Sequence, residues 1–407
     1  MGGLRLVSAG ESHGFSLISV IEGIPAGLAV DPETINEQLT RLHSSYNLAD
    51  ETSIHLEDDE VAILSGVRSG ETLGIPITLQ IENRHAGLAQ TVLLHTYEKR
   101  VMGAWSTPRP GHADLAGAIK FGYRDLRYVD ERAGARETAI RVAAGAIARR
   151  LLLHFNIRIF SHVITIGRES VTNLPNDYEE IRRFAEVSSI RCADSEAANR
   201  MILALESARR EGETLGGVFE VIAVGIPIGL GGYGQWDERL ESRIAAALMS
   251  FPGIRGVEIG DGFRSVNQSS YDAHDPLYVK RSKDKKIPDI IYRSTNHAGG
   301  IENGISNGSP ISIRCAIPPV PSPMKPLPSV NLQTLRPDQP PQTFGEICTV
   351  LQLGVVAEAM LAIVIADQFL RKFGGDSLDE VKDNYASHLE RMPFQILPHP
   401  PEDDTDR

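Results

Sequence analysis

The sequence predicts an α+β protein built in layers. Amphipathic segments with helical spacing and short β-branched segments follow one another along the chain without a strict β-α-β alternation. No G-x-G-x-x-G motif opens a helix after a strand, so a dinucleotide-binding fold is not indicated. With 407 residues, 42% of them apolar, the chain can bury one large core or two modest ones.

The first half of the chain predicts one short helix, two strands and one long helix. Asp31, followed by proline and glutamate, is a typical N-terminal cap and predicts a helix over residues 31–43. Short apolar runs at 61–64 and 76–81 predict strands. Residues 136–153 place alanine, isoleucine and leucine on one helical stripe, which predicts an amphipathic helix.

The second half predicts two more strands and a buried helix. Residues 157–166 and 218–224 are rich in β-branched side chains, as strands are. Residues 353–373 are almost continuously apolar and stop at Gly374, where a helix can turn through positive φ. Glu358 interrupts the apolar run, so we expect a buried helix and no membrane span.

The remaining segments are expected to lack regular structure. Residues 272–288 are polar and carry a run of basic side chains, which predicts an exposed loop. Residues 318–328 contain six prolines and should be extended. We expect residues 1–393 to form a single domain and residues 394–407, rich in proline and acid, to be a disordered tail.

Composition restricts the class of function. The net charge of −12 argues against nucleic-acid binding. Residues 99–150, however, carry eleven Lys or Arg against five Asp or Glu, which fits an anionic small molecule unless these arginines merely lie on solvated helix faces. Three widely spaced cysteines predict neither disulfides nor a zinc site, and no metal is expected. No signal peptide is visible, so we expect a cytoplasmic protein.

Two segments combine histidine with glycine and charge. Ser12 and His13 lie in the hexapeptide Ala-Gly-Glu-Ser-His-Gly, and Arg109 and His112 lie in Arg-Pro-Gly-His-Ala-Asp. The ordinary pKa of histidine suits proton transfer near neutrality, and the planar group of arginine matches phosphate and carboxylate. A lone histidine in a turn is usually structural. Two such segments beside further arginines favour an enzyme that binds an anion and moves a proton.

A third segment, residues 295–308, contains four glycines and three asparagines. Such a segment can present backbone amides to an anion or to a planar ring, or it can be a set of tight turns between strands. In this order and spacing, the three segments resemble the signatures of the chorismate synthase family, and the second signature continues through residues 131–138. The similarity extends over residues 4–375.

The resemblance implies the layered β-α-β sandwich of that family and its reaction. Members remove phosphate from 5-enolpyruvylshikimate 3-phosphate in an anti 1,4-elimination that needs reduced FMN and does not consume it. His13 would protonate the departing phosphate, and His112 would stabilise the reduced flavin. Ser12 would relay a proton to a carboxylate, for which Glu346 is the best match. A homotetramer is implied as well.

The resemblance also implies ligand-binding residues. The implied substrate ligands are Arg109, Arg136 and Arg41. The implied cofactor ligands are Arg132, Ala133, Gly304 and Ser322.

Several positions depart from the family pattern. Family arginines after the first helix are replaced by Leu42, Leu48 and Glu51. Elsewhere the changed positions are Pro318, Asn303, Gly134 and Phe344, the last in place of a flavin-contacting arginine. A lost charge-assisted contact is worth about 1.5–3 kcal/mol where buried, so weaker anion binding is expected. Two of the lost arginines match the family's assigned NADPH site, so no flavin reduction by NADPH is expected.

Three functions therefore remain open. The first is a chorismate synthase with relocated contacts, the second a relative that acts on a less anionic substrate, and the third a non-catalytic relative that binds a ligand or partner. The two histidines favour elimination chemistry over the third, and the missing arginines favour the second. We take chorismate synthase activity as the leading prediction.

Overall fold

A computed structural model describes residues 3–43, 59–83, 104–282, 288–321, 325–341 and 346–398. Within these ranges the helices are α1 Pro32–His43, α2 Asp114–Phe121, α3 Arg127–Ala133, α4 Thr138–Leu153, α5 Tyr178–Val187, α6 Ser195–Glu211, α7 Leu240–Met249, α8 Ser270–Ala273, α9 Val350–Phe373 and α10 Leu378–Glu390. The strands are β1 Arg5–Ala9, β2 Ser16–Glu22, β3 Val61–Ser65, β4 Val67–Arg68, β5 Glu71–Thr72, β6 Ile77–Glu82, β7 Arg158–Ile166, β8 Glu169–Ser170, β9 Gly217–Val224, β10 Gly256–Ile259, β11 Leu277–Lys280, β12 Ile290–Arg293, β13 Ile301–Glu302, β14 Ile305–Ser306, β15 Ile311–Ile317, β16 Ser329–Val330, β17 Pro337–Asp338 and β18 Gln395–Leu397.

Two antiparallel sheets enclose a layer of helices. One sheet has the strand order β1-β2-β6-β3, and the other has the order β10-β15-β9-β7-β8. Helix α4 packs on β2 and β6 of the first sheet, while α9 packs on β7 and β9 of the second. The two helices also pack against each other. This is a β-α-β sandwich, and the predicted layered α+β architecture is confirmed.

The first sheet turns one apolar face to the helices because its strands alternate. Successive side chains of a strand point to opposite faces, so every second residue faces the core. In β6 the fully buried positions are Ile77, Leu79 and Ile81, and in β2 they include Leu17 and Ile21. The opposite face of each strand is polar or partly exposed.

Helix α9 is the centre of the core. Its length and apolar composition would be enough to cross a membrane, but 83% of its most apolar stretch is buried inside the fold. It ends at Gly374, whose φ is 66°. At Gly145 of α4 an added Cβ would lie 2.4 Å from the Cβ of Ala359, so the glycine permits the close approach of the two helices. The predicted buried helix is confirmed.

The predicted helices α1 and α4 and the four predicted strands are confirmed with small boundary shifts. Two expectations were wrong. Part of the segment predicted as a loop forms β11, and part of the predicted disordered tail forms β18, which pairs with β12 in parallel. Strand β11 pairs with the next strand along the chain, and β18 joins the same small sheet from a distant part of the chain; composition alone does not encode such pairing. Residues 399–407 lie outside the described part of the chain.

Candidate active site

Several of the predicted site residues meet at one end of the four-stranded sheet. The loop between β1 and β2 carries Ser12 and His13 and lies against α3. The N–H of Ser12 donates to the carbonyl oxygen of Glu131 at 2.8 Å. The guanidinium of Arg132 donates to the carbonyl oxygen of Gly10 at 3.2 Å. The Ser12–His13 segment is therefore hydrogen-bonded to residues 131–138, which continue the Arg109–His112 signature.

His13 is held by one carboxylate. Its backbone N–H donates to Glu131 Oε2 at 2.9 Å, and its ring Nδ1 lies 3.3 Å from Glu131 Oε1. The hydrogen bond to Glu131 raises the pKa of His13, against the opposing effect of partial burial, and the negative charges of Glu131 and Asp130 add to it. The side chain is 67% exposed, so the ring is open to a ligand.

Arg109 and His112 share a carboxylate. Arg109 donates to Asp114 from Nε at 2.8 Å and from Nη2 at 3.0 Å, and Nη2 also donates to Asp130 at 2.6 Å. His112 Nδ1 lies 2.6 Å from Asp114 Oδ1. Burial would raise the pKa of Asp114, but hydrogen bonds from His112 and Arg109 hold it far below its usual value. The second histidine is thus oriented by a fixed negative charge.

Arg136 is tied to the same end of the sheet. Its two terminal nitrogens donate to Asp59 at 2.6 and 2.7 Å, and its Nε donates to Asn83 at 3.0 Å. The amide of Asn83 in turn donates to the carbonyl oxygen of Gly14 at 2.6 Å. Burial would raise the pKa of Asp59, but hydrogen bonds from His43 and Arg136 lower it. Arg136 is therefore linked to the His13 loop through a single intervening residue, Asn83.

The described residues fit the reduced FMN that the resemblance implies. Arg132 has a side chain that is 48% exposed, and Ala133 follows it at the end of α3. The hydroxyl of Ser12 makes a long contact of 3.5 Å with the carbonyl oxygen of Asp130. A half-exposed guanidinium, a hydroxyl with one long contact and the exposed imidazole of His13 suit an anionic ligand. Ser322 lies outside the described residues.

Three other predicted site residues, Arg41, Gly304 and Glu346, make no described contact with the group around His13 and His112. Arg41 donates to Glu358 at 2.8 and 3.1 Å. The carbonyl oxygen of Gly304 accepts the N–H of Leu240 at 3.0 Å. Glu346 is exposed and lies near Cys348. Burial, helped by the nearby charge of Glu346, raises the pKa of the Cys348 thiol to about 11. The roles predicted for these three residues stay predictions.

The sequence did not reveal the carboxylates and amide that hold the site together. Asp130 and Glu131 directly precede Arg132 on the same helix, so their position beside the implied ligands was a usable signal. Asp59 and Asn83 lie at the ends of β3 and β6, more than fifty residues from Arg136 in sequence. No local pattern links them to it.

Two departures from the family pattern are accommodated by the backbone. Asn303 has a φ of 53°, in the left-handed region that asparagine tolerates better than most residues other than glycine. At Gly134 an added Cβ would lie 2.9 Å from Ser12 Oγ, so the glycine leaves space for that hydroxyl. Leu42 is buried in the hydrophobic core, while Leu48, Glu51 and Phe344 lie outside the described residues.

The fold and the site define a class of protein: an α+β sandwich that holds two histidines and several arginines at one end of a sheet, as anion binding coupled to proton transfer requires. Comparison with known proteins gives the family. A sequence profile described as chorismate synthase matches residues 4–370.

Curated relatives agree over nearly the whole chain. The chain is 42% identical over 388 residues to a chorismate synthase of Carboxydothermus hydrogenoformans, covering 95% of this chain and 99% of the relative. It is 44% identical over 392 residues to that of Desulforudis audaxviator, covering 96% and 98%. A solved structure titled "Crystal Structure of Chorismate Synthase" matches with a TM-score of 0.76 and 37% identity, over 95% of this chain and 98% of that one. The chain belongs to the chorismate synthase family.

Proposed function

We propose that the protein is a chorismate synthase, which eliminates phosphate from 5-enolpyruvylshikimate 3-phosphate to give chorismate. Family membership over nearly the whole chain favours this function over a less anionic substrate or a non-catalytic role. The observation that carries the proposal is His13, an exposed imidazole with a raised pKa at the same end of the sheet as several arginines.

The reaction needs a proton donor because an unprotonated phosphate ester would have to leave as the strongly basic phosphate trianion. A histidine whose pKa is raised stays protonated to higher pH, so His13 can donate a proton to the departing phosphate near neutrality. Arg109 and Arg136 would bind the anionic substrate. Both are now paired with carboxylates, so binding would exchange or share these partners.

Reduced FMN is the proposed cofactor. When bound, it would supply an electron as the carbon–oxygen bond to phosphate breaks and recover it as the carbon–hydrogen bond of the 1,4-elimination breaks with loss of a proton. Arg132 and Ala133 would line the flavin, His112 would stabilise its reduced form, and Ser12 would relay a proton. Gly304, Ser322, Glu346 and Arg41 complete the proposed site residues.

The remaining proposals follow from the family. We propose a homotetramer located in the cytoplasm. Flavin reduction by NADPH is not expected, since Leu42 offers no charge to that cofactor. NADPH oxidation by the pure protein with FMN would contradict this expectation.

The test measures chorismate formation when the purified protein is incubated with 5-enolpyruvylshikimate 3-phosphate and reduced FMN under anaerobic conditions. Chorismate formed at a rate typical of enzymes, with a requirement for flavin, is the expected result. Tight flavin binding without chorismate would support the less anionic substrate instead. The absence of both flavin binding and chorismate would support the non-catalytic role.

A further inference from the structure

We infer that Glu131 is a positioning residue for His13: it fixes the loop and the ring so that Nε2 is the nitrogen presented to the ligand. The inference rests on the proposed function, because it concerns how the proton donor of that reaction is held. It adds to the histidine a partner that has to be present for efficient proton transfer.

Glu131 contacts two consecutive residues of the loop through three of its atoms. Its backbone carbonyl oxygen accepts the N–H of Ser12 at 2.8 Å, and its Oε2 accepts the N–H of His13 at 2.9 Å. Its Oε1 lies 3.3 Å from the ring Nδ1. Phe15, in the same loop, is 57% exposed, so little packing holds this turn from outside. Arg132 of α3 and Asn83 also hold this loop through the carbonyl oxygens of Gly10 and Gly14, but among the described residues Glu131 alone contacts both the backbone and the ring of His13.

The contact to Nδ1 fixes which nitrogen titrates. A carboxylate only accepts hydrogen bonds, so the nitrogen that faces it carries a proton whether the ring is neutral or charged. Nδ1 of His13 must then be the N–H, and the proton that the ring gains or gives up is on Nε2. This is the arrangement needed for a donor that reaches outward from the loop.

The charged groups around His13 act in the same direction. From α3, Glu131 and Asp130 both favour the charged imidazole, while partial burial opposes it. Arg132 follows on the same helix but donates toward Gly10 and Ser8. Glu11 lies in the loop of His13 itself, and its carboxylate does not contact the ring among the described contacts. Glu131 is thus the group whose removal should change His13 most.

The direct test is a nitrogen NMR titration of the full-length protein labelled at histidine, without flavin or substrate. The His13 resonances are assigned by their loss in His13→Gln. In the wild type we expect a proton on Nδ1 and a raised pKa. In Glu131→Gln, which keeps the shape of the side chain, the pKa should fall and both tautomers should appear.

Two further variants make this result specific. Glu131→Asp keeps the charge but shortens the side chain by one methylene, so it should not hold the backbone N–H and Nδ1 together, and the single tautomer should be lost. Glu11→Gln is the control: it also removes one negative charge, this time from the loop that carries His13. Because Glu11 does not contact the ring among the described contacts, the tautomer of His13 should stay unchanged. An unchanged pKa and tautomer in Glu131→Gln would overturn the inference.

Chorismate formation gives the second readout. Removing a carboxylate that orients a metal-bound histidine typically costs about 10- to 100-fold in activity, and we expect an effect of the same order for a proton-donating histidine. We expect Glu131→Gln to lower kcat by that factor with little change in KM, and the basic limb of the pH profile to move to lower pH. A merely structural glutamate would leave the pH profile in place.

The two failures can be told apart. If the wild type forms no chorismate while Glu131→Gln still changes the tautomer of His13, the proposed function fails and the positioning contact stands. If the wild type forms chorismate and Glu131→Gln keeps both kcat and the pH profile, the function stands and the positioning role is refuted.

Discussion

Glu358 should be one of the most sensitive positions for stability. Its side chain is 1% exposed and accepts from three guanidinium groups, Arg41 at 2.8 Å, Arg149 at 2.5 Å and Arg191 at 2.6 Å, and from the hydroxyl of Ser161 at 2.7 Å. One carboxylate on α9 thus joins α1, α4 and the segment before α6. Glu358→Gln keeps the shape of the side chain and removes the charge.

The size of the stability loss follows from the three buried arginines that Glu358→Gln leaves without a negative partner. Removing one partner of a buried ion pair costs about 3–5 kcal/mol, and three arginines that repel one another put Glu358→Gln at the upper end, about 4–5 kcal/mol. The entropy of unfolding is about 2.1 cal/mol/K per residue, so over 407 residues a melting temperature lower by about 5–6 °C is expected. Thermal melts followed by circular dichroism measure this change.

Two comparisons make the measurement specific. Glu179→Gln breaks an ion pair that is about half exposed and should change stability by about 1 kcal/mol or less. Adding Arg149→Met to Glu358→Gln removes one repelling charge and should recover part of the loss. A loss below about 1 kcal/mol for Glu358→Gln would refute the reasoning.

The same ion pairs of Glu358 should make the stability of the protein depend on pH. Burial would raise the pKa of Glu358, but the charges of Arg41, Arg191 and Arg149 hold it well below the ordinary value of 4.5. A carboxyl whose folded pKa is lowered stabilises the protein fully above the unfolded pKa, and this contribution is lost as the pH falls below it. The difference in stability between the wild type and Glu358→Gln should therefore shrink below about pH 4.5.

Two further predictions concern the site and the core. Asp114→Asn removes the shared partner of Arg109 and His112. It should lower kcat for chorismate formation by about 10- to 100-fold, the order found for carboxylates that orient metal-bound histidines. Asp125→Asn breaks the pair with Arg127 and should have a much smaller effect. Equal losses in the two variants would contradict this. Gly145→Ala should destabilise the protein by about 1–3 kcal/mol in urea unfolding, although alanine is the better helix former, because the helices have no room for the added methyl group. A stability equal to or above the wild type would show that α4 and α9 can separate.

Much of the fold could be predicted because its main elements carry local signals. The short apolar run of β6, the apolar stripe of α4 and the long apolar run of α9 each require burial, and their lengths and spacing indicate the element type. The short strands β11 and β18 could not be predicted, because their stability comes from pairing with β12 and not from their own residues.

Part of the candidate site could be proposed from the sequence for the same reason. His13, His112, Arg109 and Arg132 stand in short motifs, and those motifs show the residue types that the chemistry needs. The partners that orient them come from elsewhere: Asp59 reaches Arg136 from the start of another strand. Arg41 also pairs with Glu358, a contact that its motif does not indicate, and its role as a substrate ligand stays a prediction. Contacts of this kind depend on the packed structure.

We propose that chorismate forms at the end of the four-stranded sheet, with His13 as the proton donor. The most direct measurement is the rate of chorismate formation by the wild type and by His13→Ala, with saturating reduced FMN and 5-enolpyruvylshikimate 3-phosphate under anaerobic conditions. General acid catalysis contributes about 10²–10⁴-fold, so the variant should be slower by that factor while still binding flavin. A wild type that forms no chorismate, or a His13→Ala variant that forms it at the wild-type rate, would contradict the claim.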